Sequence, residues 1–432
     1  MFTSLLFRVR QMLKSKRRFL LPDTPRTGND NLEGGSLSGR SLRVLQLMRS
    51  GMGVGSLCVP IAAALRAKGY EVEFACAIEP LEEMPPPEAT LLHPLPLSRR
   101  VGALGLHLRA LWACVRLMRE RKYDIVHVHE LIASMIGRLA AFIAGVPAVI
   151  YHARGSLYES SGVSAMVYRV CERLMAPLTD RVIVLNEEDG RDIVNRAGYR
   201  PDQVTVQGVG RCGIDFDAIS AAVNGSSGAA QIREEYGIGS DDFVIGFVGR
   251  LVGEKGIIEL AEAFSKVAST RPWVKLLIVG DVLHTDRDRK AIHEMWRLLS
   301  PVKRQAIHVG WRSDVYKFFQ VMHVLAMPSH REGFGNVVAE AAAFGVPSVV
   351  ASNRGGRQAV VDGKTGFIVP VREARGLAEK LQLMVENPQL AKNLGAAAKE
   401  HARKNFGCEH VIKLILQVYD DIAREILSIR QS

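Results

Sequence analysis

The stretch HVLAMPSHREGFGNVVAEAAAFGVPSVVAS, residues 323–352, contains the pattern that sets the fold. An apolar run leads into a glycine-rich loop, a helix is predicted to begin near Asn336 and stop at Gly345, and a second apolar run follows. A strand, a helix and a strand in this order form one unit of a parallel sheet. Two carboxylates, Glu332 and Glu340, flank the glycine loop.

The same alternation recurs along most of the chain. Buried strands are predicted at SLRVLQLM (41–48), YEVEFACAI, DIVHVHE (124–130), AVIYHA and DRVIVLN (180–186), and again at FVIGFVG (243–249), VKLLIVG (274–280) and AIHVG. The polar segment NGSSG separates the two sets. We therefore predict an α/β protein with two parallel-sheet domains. The predicted boundaries are a basic, disordered leader at 1–40, domains at 41–225 and 226–408, and a helix at 409–432 that packs back toward the N-terminal domain.

Length and composition narrow the class of protein. A chain of 432 residues with 47% hydrophobic and 23% charged residues is globular and too long for one ordinary core. The six cysteines are scattered without a CxxC pair, which indicates a reduced compartment and no structural zinc. No charge-free apolar run of membrane-spanning length and no convincing signal peptide is present, so we expect a cytoplasmic protein.

The net charge of +11 favours an anionic partner, which could be a nucleic acid, a phosphorylated ligand or the cytoplasmic face of a membrane. A purely solvated basic surface is the alternative. Arg250 and Lys255 lie in the loop GRLVGEKG, whose glycines permit close approach of a ligand just before a helix. Two cations at a helix amino terminus suit a diphosphate, although two solvated loop charges would look the same.

The two carboxylates of the opening stretch admit two interpretations each. Glu340 is expected to reach a ligand's hydroxyl groups from a packed helix, or else to be an exposed helix residue. Glu332 is expected to hydrogen-bond a sugar ring, or else to pair with Arg331 or Arg250. The amides of Gly335, Asn336 and Val337 are predicted to be unsatisfied donors that a phosphate would accept.

Four motifs in this order resemble the retaining GT-B glycosyltransferases of family 4, the group 1 glycosyltransferases. They are GRLVGEKG, EGFGNVVAE, FGVPSVVASNRGG and DGKTGFIVP, and the resemblance covers roughly residues 42–425. These motifs are similar to those of the branch that builds capsular polysaccharide, exopolysaccharide and lipid-linked oligosaccharides. The resemblance implies two Rossmann-like domains facing across a cleft, with acceptor on the N-terminal side and nucleotide-sugar donor on the C-terminal side.

The resemblance also implies roles for individual residues. Arg250 and Lys255 match the positions that hold the donor diphosphate. Glu340 matches the position that binds the ribose, and Glu332 matches the position beside the donor sugar. The remaining matches are His152 near the reacting centre, Gly310 at the nucleobase turn, Gly53 and Gly55 in the first glycine loop, and Gly333, Phe334, Gly335, Asn336 and Val337 around the phosphates and sugar. The implied reaction transfers a sugar from a nucleoside diphosphate donor to a saccharide or lipid-linked saccharide. UDP is the nucleotide expected from what is usual in the family, and neither a metal nor a cofactor is expected.

Two other chemistries would use residues of this chain. A glycoside hydrolase would use the two glutamates as acid and nucleophile, but this family needs no protein nucleophile. Asp286 and Asp288 form a DxD, which we expect to be a solvated surface rather than a metal site. His127 and His129 are expected to point to opposite faces of their strand and so not to chelate together.

Two alternative functions also fit parts of the sequence. GMGVGS (51–56), with Glu73 about 20 residues on, suggests an NAD(P)-dependent oxidoreductase, although the spacing is GxGxG. A nucleotide-sugar epimerase of GT-B fold would share the donor residues. Nucleic-acid binding is not expected, because the basic residues are not interleaved with aromatics.

The basic, apolar segment 99–122 and the leader are expected to allow peripheral contact with an anionic membrane. Arg357-Gln358 stand where many family members have a carboxylate, which leaves the donor sugar open.

Overall fold

The structure is a computed structural model that describes residues 36–37, 40–49, 51–77, 91–97, 104–154, 163–224, 228–282 and 288–431. It forms two compact units. The first takes in the chain up to Gln207 and again from Val411 onward, and the second is Gly208–His410. Most of the predicted leader and Asp286 of the DxD lie outside the described residues.

The first unit carries a seven-stranded parallel sheet in the order β5-β4-β3-β6-β7-β8-β9. After a short antiparallel pair, β1 (Ser36–Leu37) and β2 (Arg40–Ser41), its strands are β3 (Arg43–Leu47), β4 (Glu71–Ala77), β5 (Leu92–Leu95), β6 (Ile125–His129), β7 (Ala148–Ala153), β8 (Arg181–Val184) and β9 (Val204–Val206). The two directions of crossover, from β3 to β4 and from β6 toward β9, put helices on both faces of this sheet.

One helical layer of the first unit shares a core with one face of the sheet. Its helices are Leu104–Arg121, Leu131–Ala144, Val163–Met175 and Glu187–Ala197. The remaining helical segments of this unit are Gly51–Gly53, the π-helical Val54–Cys58, Val59–Ala67, the 3-10 turns Ala176–Leu178 and Pro201–Gln203, and most of Cys408–Gln431. The last of these buries an apolar stripe that includes Val411, Ile415, Val418, Ile422 and Ile426, as its spacing predicts.

The second unit carries a six-stranded parallel sheet in the order β12-β11-β10-β13-β14-β15. Its strands are β10 (Phe243–Val248), β11 (Val274–Val279), β12 (Ala306–Gly310), β13 (Val324–Met327), β14 (Ser348–Ala351) and β15 (Gly366–Val369). Its helical segments are Phe216–Asn224, Gly228–Glu235, Gly253–Lys255, Ile257–Ala268, Arg289–Leu299, Ser300–Val302, Val315–Phe319, Asn336–Ala343, Arg354–Ala359, Ala374–Glu386 and Pro388–Phe406. Both units are therefore Rossmann-like α/β domains, and the predicted fold class is confirmed in this respect.

Several details differ from the prediction. The second unit begins at Gly208 rather than at residue 226, because the segment before the helix Phe216–Asn224 bonds within the second unit: the Ile214 amide donates to the Phe406 carbonyl at 2.7 Å. The strands β1 and β2 lie where the leader was expected to be disordered.

All six cysteines are free thiols. Across the described residues, no helix has both the length and the apolar character required to cross a bilayer.

Gly256 offers a test of how closely the loops of the second unit approach each other. Its φ is +72°, and a Cβ there would lie 2.2 Å from the Pro328 carbonyl oxygen. Gly363 has a similar φ of +69° but nothing within 4 Å. We expect Gly363→Ala to cost about 1 kcal/mol of unfolding free energy through the left-handed backbone alone, and Gly256→Ala to cost at least twice as much. Urea unfolding of the two variants measures this difference, and equal losses would contradict the close approach.

Candidate active site

The second sheet has one point where its connections change direction. The chain runs from β10 to β11 and β12 on one side, and from β13 to β14 and β15 on the other, while β10 and β13 are neighbours. In open parallel sheets, ligands bind outside the carboxyl ends of the strands at such a switch point. The loops that leave β10 and β13 contain Arg250, Lys255 and Glu332.

An ion pair joins these two loops. Lys255 lies in the 3-10 turn Gly253–Lys255, and its Nζ donates to Oε1 of Glu332. Both side chains are partly buried, at 22% and 15% exposure. The loops are held together further by the His330 amide, which donates to the Glu254 carbonyl at 2.8 Å. A cation and a carboxylate therefore stand together at the switch point. Arg250 lies on the same loop with its side chain exposed.

The glycine loop after β13 makes internal contacts that the sequence does not predict. The Asn336 amide donates to the Phe334 carbonyl at 3.0 Å, so it is not the unsatisfied donor that we expected. The Phe334 side chain is buried and packs edge-on against Phe406, with ring centroids 5.1 Å apart. Phe334 can thus serve a ligand through its backbone only. The neighbouring Gly333 and Gly335 lead into the helix Asn336–Ala343, whose N-cap is Gly335, and Val337 lies in its first turn.

Glu340 is buried on this helix and is partnered by a residue that the sequence did not single out. Arg211 donates to Glu340 Oε1 at 3.1 Å, and the Glu340 side chain is only 9% exposed. Burial raises the pKa of the Glu340 carboxyl, and the Arg211 charge opposes that rise. The same segment approaches the helix at Gly210, where a Cβ would lie 2.1 Å from Oδ1 of Asn336.

Gly310 ends the edge strand β12 with a φ of +81°, a left-handed conformation that suits glycine. The next residue, Trp311, is 70% exposed. Gly310 therefore lies at the carboxyl edge of the same sheet as Lys255 and Glu332, but on the outermost strand. An exposed indole beside a turn is a flat apolar surface on which a ring can stack.

Asp288 has a structural role. Its Oδ2 accepts the Gly253 amide at 2.6 Å, so it holds the turn that presents Lys255. Its DxD partner Asp286 lies outside the described residues. Another buried residue, Asn353, accepts the Gly356 amide and donates to the Ser329 carbonyl at 2.7 Å, which ties the loop after β14 to the loop after β13.

In the first unit, the predicted glycine loop is helical. Gly53 ends the short helix Gly51–Gly53, and Gly55 lies in the π-helical segment Val54–Cys58. Glu73, which an oxidoreductase would use to bind a ribose, accepts hydrogen bonds from Arg43, Arg121 and Tyr123. Burial raises the pKa of Glu73, but these hydrogen bonds lower it by more, so the pKa falls to about 2. Its carboxylate is committed to the interior of the first unit.

His127, His129 and His152 form one cluster in the first unit. Residues two apart on a strand share a face, so the expectation that His127 and His129 point to opposite faces is wrong. Their ring centroids are 4.2 Å apart, and His152 lies opposite His129 on the neighbouring strand β7. All three are fully buried, and one ring nitrogen from each lies within 4.8 Å of the others, a spacing that could hold a metal ion.

The hydrogen bonds of the cluster compete with a metal for the imidazole lone pairs. The Gln46 amide donates to the Tyr419 hydroxyl at 2.9 Å, which leaves the Tyr419 proton for His127 Nδ1 at 2.8 Å. His129 Nε2 lies 2.8 Å from Gln46 Oε1, so His129 Nδ1 carries the lone pair that faces Arg154. Arg154 also lies 3.3 Å from His152 Nδ1. The Tyr419 hydroxyl and the cationic guanidinium lie against the Nδ1 atoms of the three histidines, where they compete with a metal for those lone pairs.

Only weak sequence signals pointed to these extra residues. Arg154 follows the strand AVIYHA directly, and Tyr419 lies on the apolar stripe of the last helix, where a hydroxyl in a core requires a polar partner. Asn353 lies inside the motif FGVPSVVASNRGG and caps the helix Arg354–Ala359, which is a local signal. Arg211 lies in a loop without a local pattern and reaches Glu340 across 129 residues.

The buried histidines predict a loss of stability in mild acid. Burial, with Arg154 as a smaller cause, lowers the pKa of His127 to about 3 and holds the pKa values of His129 and His152 well below 6.5. The unfolded chain binds protons below pH 6.5 while the folded cluster does not, so stability falls as pH decreases. At pH 5.5 the expected loss is on the order of 1 kcal/mol for each histidine.

Urea unfolding at pH 7.5 and pH 5.5 checks this expectation. His127→Gln, which can still accept from Tyr419, should reduce the pH-dependent loss, whereas the exposed His410→Gln should leave it unchanged. A wild-type free energy of unfolding that is the same at both pH values would show that the cluster is protonated in the folded protein.

Comparisons with known proteins agree on one family. A model of the "Glycosyl transferase 4-like domain" matches residues 52–210, and a model of "Glycosyl transferases group 1" matches residues 229–401. The capsular polysaccharide biosynthesis glycosyltransferase CapM of Staphylococcus aureus is 30% identical over 364 residues, which is 84% of this chain and 92% of CapM.

A second relative and a solved structure extend the comparison. The UDP-Gal:alpha-D-GlcNAc-diphosphoundecaprenol alpha-1,3-galactosyltransferase of Escherichia coli is 26% identical over 319 residues, 72% of this chain and 78% of that enzyme. The crystal structure of Anabaena HepE in complex with UDP has a TM-score of 0.72 at 21% identity and covers 88% of this chain and all of HepE. That likeness supports the GT-B fold. The chain therefore belongs to the group 1 glycosyltransferases.

Proposed function

We propose that this glycosyltransferase moves a sugar from a UDP-sugar to a saccharide acceptor carried on a lipid, with retention at the anomeric carbon and without a metal, in the synthesis of a cell-surface polysaccharide. The observation that carries the proposal is the Lys255–Glu332 pair at the switch point of the second sheet. A diphosphate needs a fixed cation, and the sugar attached to it needs hydrogen-bond acceptors for its hydroxyl groups.

Lys255 and Arg250 are proposed to bind the diphosphate. Glu332 pairs with Lys255. A bound diphosphate would compete for that ammonium group and leave the Glu332 carboxylate to accept a hydrogen bond from a sugar hydroxyl. The backbone of Gly333, Gly335 and Val337 would face the phosphates and sugar at the amino terminus of the helix Asn336–Ala343.

Glu340 is proposed to accept the ribose hydroxyls, with Arg211 keeping it ionised. The nucleobase is proposed to lie at Gly310, and the exposed Trp311 offers a stacking surface there. UDP is favoured as the nucleotide because HepE was crystallised with UDP and the Escherichia coli relative is named for UDP-Gal.

The lipid-linked acceptor rests on the named relatives. One acts on a diphosphoundecaprenol-linked sugar and another belongs to capsular polysaccharide biosynthesis. Such an acceptor places the reaction at a membrane surface, so we propose peripheral contact with an anionic membrane at its cytoplasmic face. Arg357-Gln358 stand where many members of the family have a carboxylate.

The proposed step breaks the bond between the anomeric carbon and the β-phosphate oxygen and forms a bond from that carbon to an acceptor oxygen on the same face. The acceptor proton passes to a phosphate oxygen of the departing UDP. Arg250 and Lys255 stabilise the charge that develops on this leaving group. His152 is proposed to stand near the donor sugar, because it matches that position in the family, but its own side chain is fully buried and so would act without exposed contact with the sugar. No protein nucleophile is required.

Lys255→Ala and Glu332→Gln should each reduce transfer from the UDP-sugar by at least about a hundredfold, because each removes a fixed partner of the reacting group. Lys275 provides a matched control. It pairs with Asp242 at 3.8 Å, with both side chains buried to a similar extent, but it lies on β11 away from the switch point. Lys275→Ala should retain transfer. Full activity in Lys255→Ala would refute the donor site, and an epimerised free nucleotide-sugar as product would favour the epimerase.

Arg211→Ala tests the buried carboxylate. Without the guanidinium, the pKa of Glu340 should rise further, and a protonated Glu340 would bind the ribose less well. We expect the Kd for UDP to increase roughly tenfold at pH 6 and less at pH 8. Calorimetric titration with UDP at both pH values measures the effect. Arg375→Ala, which removes an exposed arginine paired with Glu379, serves as the control. An equal increase at both pH values would mean that Arg211 acts independently of the ionisation of Glu340.

A further inference from the structure

Two helices of the first unit expose an unusual share of apolar surface. Eight of the fourteen exposed large hydrophobic side chains among the described residues lie on the helices Leu104–Arg121 and Val163–Met175. They are Leu104, Leu106, Leu108, Trp112, Val163, Met166, Val167 and Val170. On the second helix the spacing is i, i+3, i+4, i+7, which forms one continuous stripe, and Val163 at its start is 73% exposed.

The two helices belong to the same layer. Ala110 and Cys114 of the first helix and Tyr168 of the second share one core with the sheet, and Ala140 of the intervening helix Leu131–Ala144 lies in that core too. Each helix therefore turns its inner side to the same face of the sheet. The exposed apolar residues lie on the outer side of this layer, and we refer to them together as the outer apolar face.

The charges around the outer apolar face are mostly positive. Arg109, Arg116, Arg119 and Lys122 are exposed on or just after the first helix, and Arg173 is exposed on the second. Glu120 is the exposed acid within these two described helices, and it is paired with Arg116 at 2.7 Å. Glu172 of the second helix is fully buried against Arg138. Apolar side chains with a cationic surround match the interface of an anionic bilayer.

We propose that the outer apolar face is the surface by which this protein docks on an anionic lipid bilayer, with Trp112 and the Val163–Val170 stripe entering the headgroup region. The inference deepens the proposed function, since a lipid-linked acceptor requires the enzyme at a membrane. A second copy of the chain is a poorer occupant, because pairing this face with itself would bring like charges together. The second helix is the new element: the sequence pointed to the segment 99–122 and the leader.

Co-flotation of the full chain with phosphatidylcholine vesicles, with and without phosphatidylglycerol, tests the proposal. Wild-type protein should float with the anionic vesicles and be released by salt. The double variant Val167→Ser, Val170→Ser should lose roughly tenfold in vesicle affinity, because it removes apolar surface from the stripe. Trp273→Ser, an exposed aromatic of the second unit, should bind vesicles like wild type.

UDP-dependent thermal stabilisation of each variant separates this inference from the proposed function. A stripe variant that retains the UDP-induced shift but loses the vesicles supports docking through the outer apolar face. Absence of vesicle binding by the wild type overturns the docking surface while leaving the transferase chemistry standing. Vesicle binding that the stripe variant retains assigns attachment to another part of the chain. A dimer of the wild type that the stripe variant converts to monomer, by light scattering, identifies the face as an interface between copies.

Discussion

The adjacency of β10 and β13 is the constraint on which the candidate donor site depends. Two parallel strands whose connections leave in opposite directions open their loops beside each other, and the Lys255–Glu332 pair forms across that opening. Gly256 lets the first loop come close to the Pro328 carbonyl, and Asp288 fixes the Gly253 turn. The placement of two opposite charges is thus a product of sheet topology rather than of local sequence.

Elements with strong local patterns were predictable. The long apolar strands and the stripe on the last helix were identified because buried positions recur as hydrophobic residues at regular spacing in the sequence. β5 and β9 were missed for physical reasons: β5 contains Pro94, which is unusual in a strand, and β9 has only the residues Val204–Val206 at the edge of the sheet. β15 lies inside the motif DGKTGFIVP, whose turn residues obscure a short strand.

The candidate site was predictable to the extent that its residues are close in sequence. Arg250 with Lys255, and Glu332 with Glu340, lie within short motifs, so the sequence could select them as candidates. The Lys255–Glu332 pair itself was not predicted, since 77 residues separate the two and Glu332 was expected to pair with Arg331 or Arg250. The partner of Glu340 could not be anticipated, because Arg211 comes from a separate segment and only the packed fold brings it near. The histidine cluster was misjudged since the period of a strand is two, which puts His127 and His129 on one side. Their shared burial then explains why all three imidazoles favour the neutral form.

Tyr419 belongs to the last helix yet completes the polar network of Gln46 and His127 near the start of the chain. During synthesis, the ribosome produces the whole second unit before this tyrosine emerges. The first unit must therefore wait with an unfinished interior until residue 419 has been synthesised, whereas the second unit can fold as soon as its own segment is released. A nascent chain that stops short of residue 419 would leave a buried amide and an imidazole unmatched, and quality-control proteases would meet a chain with one finished and one incomplete half.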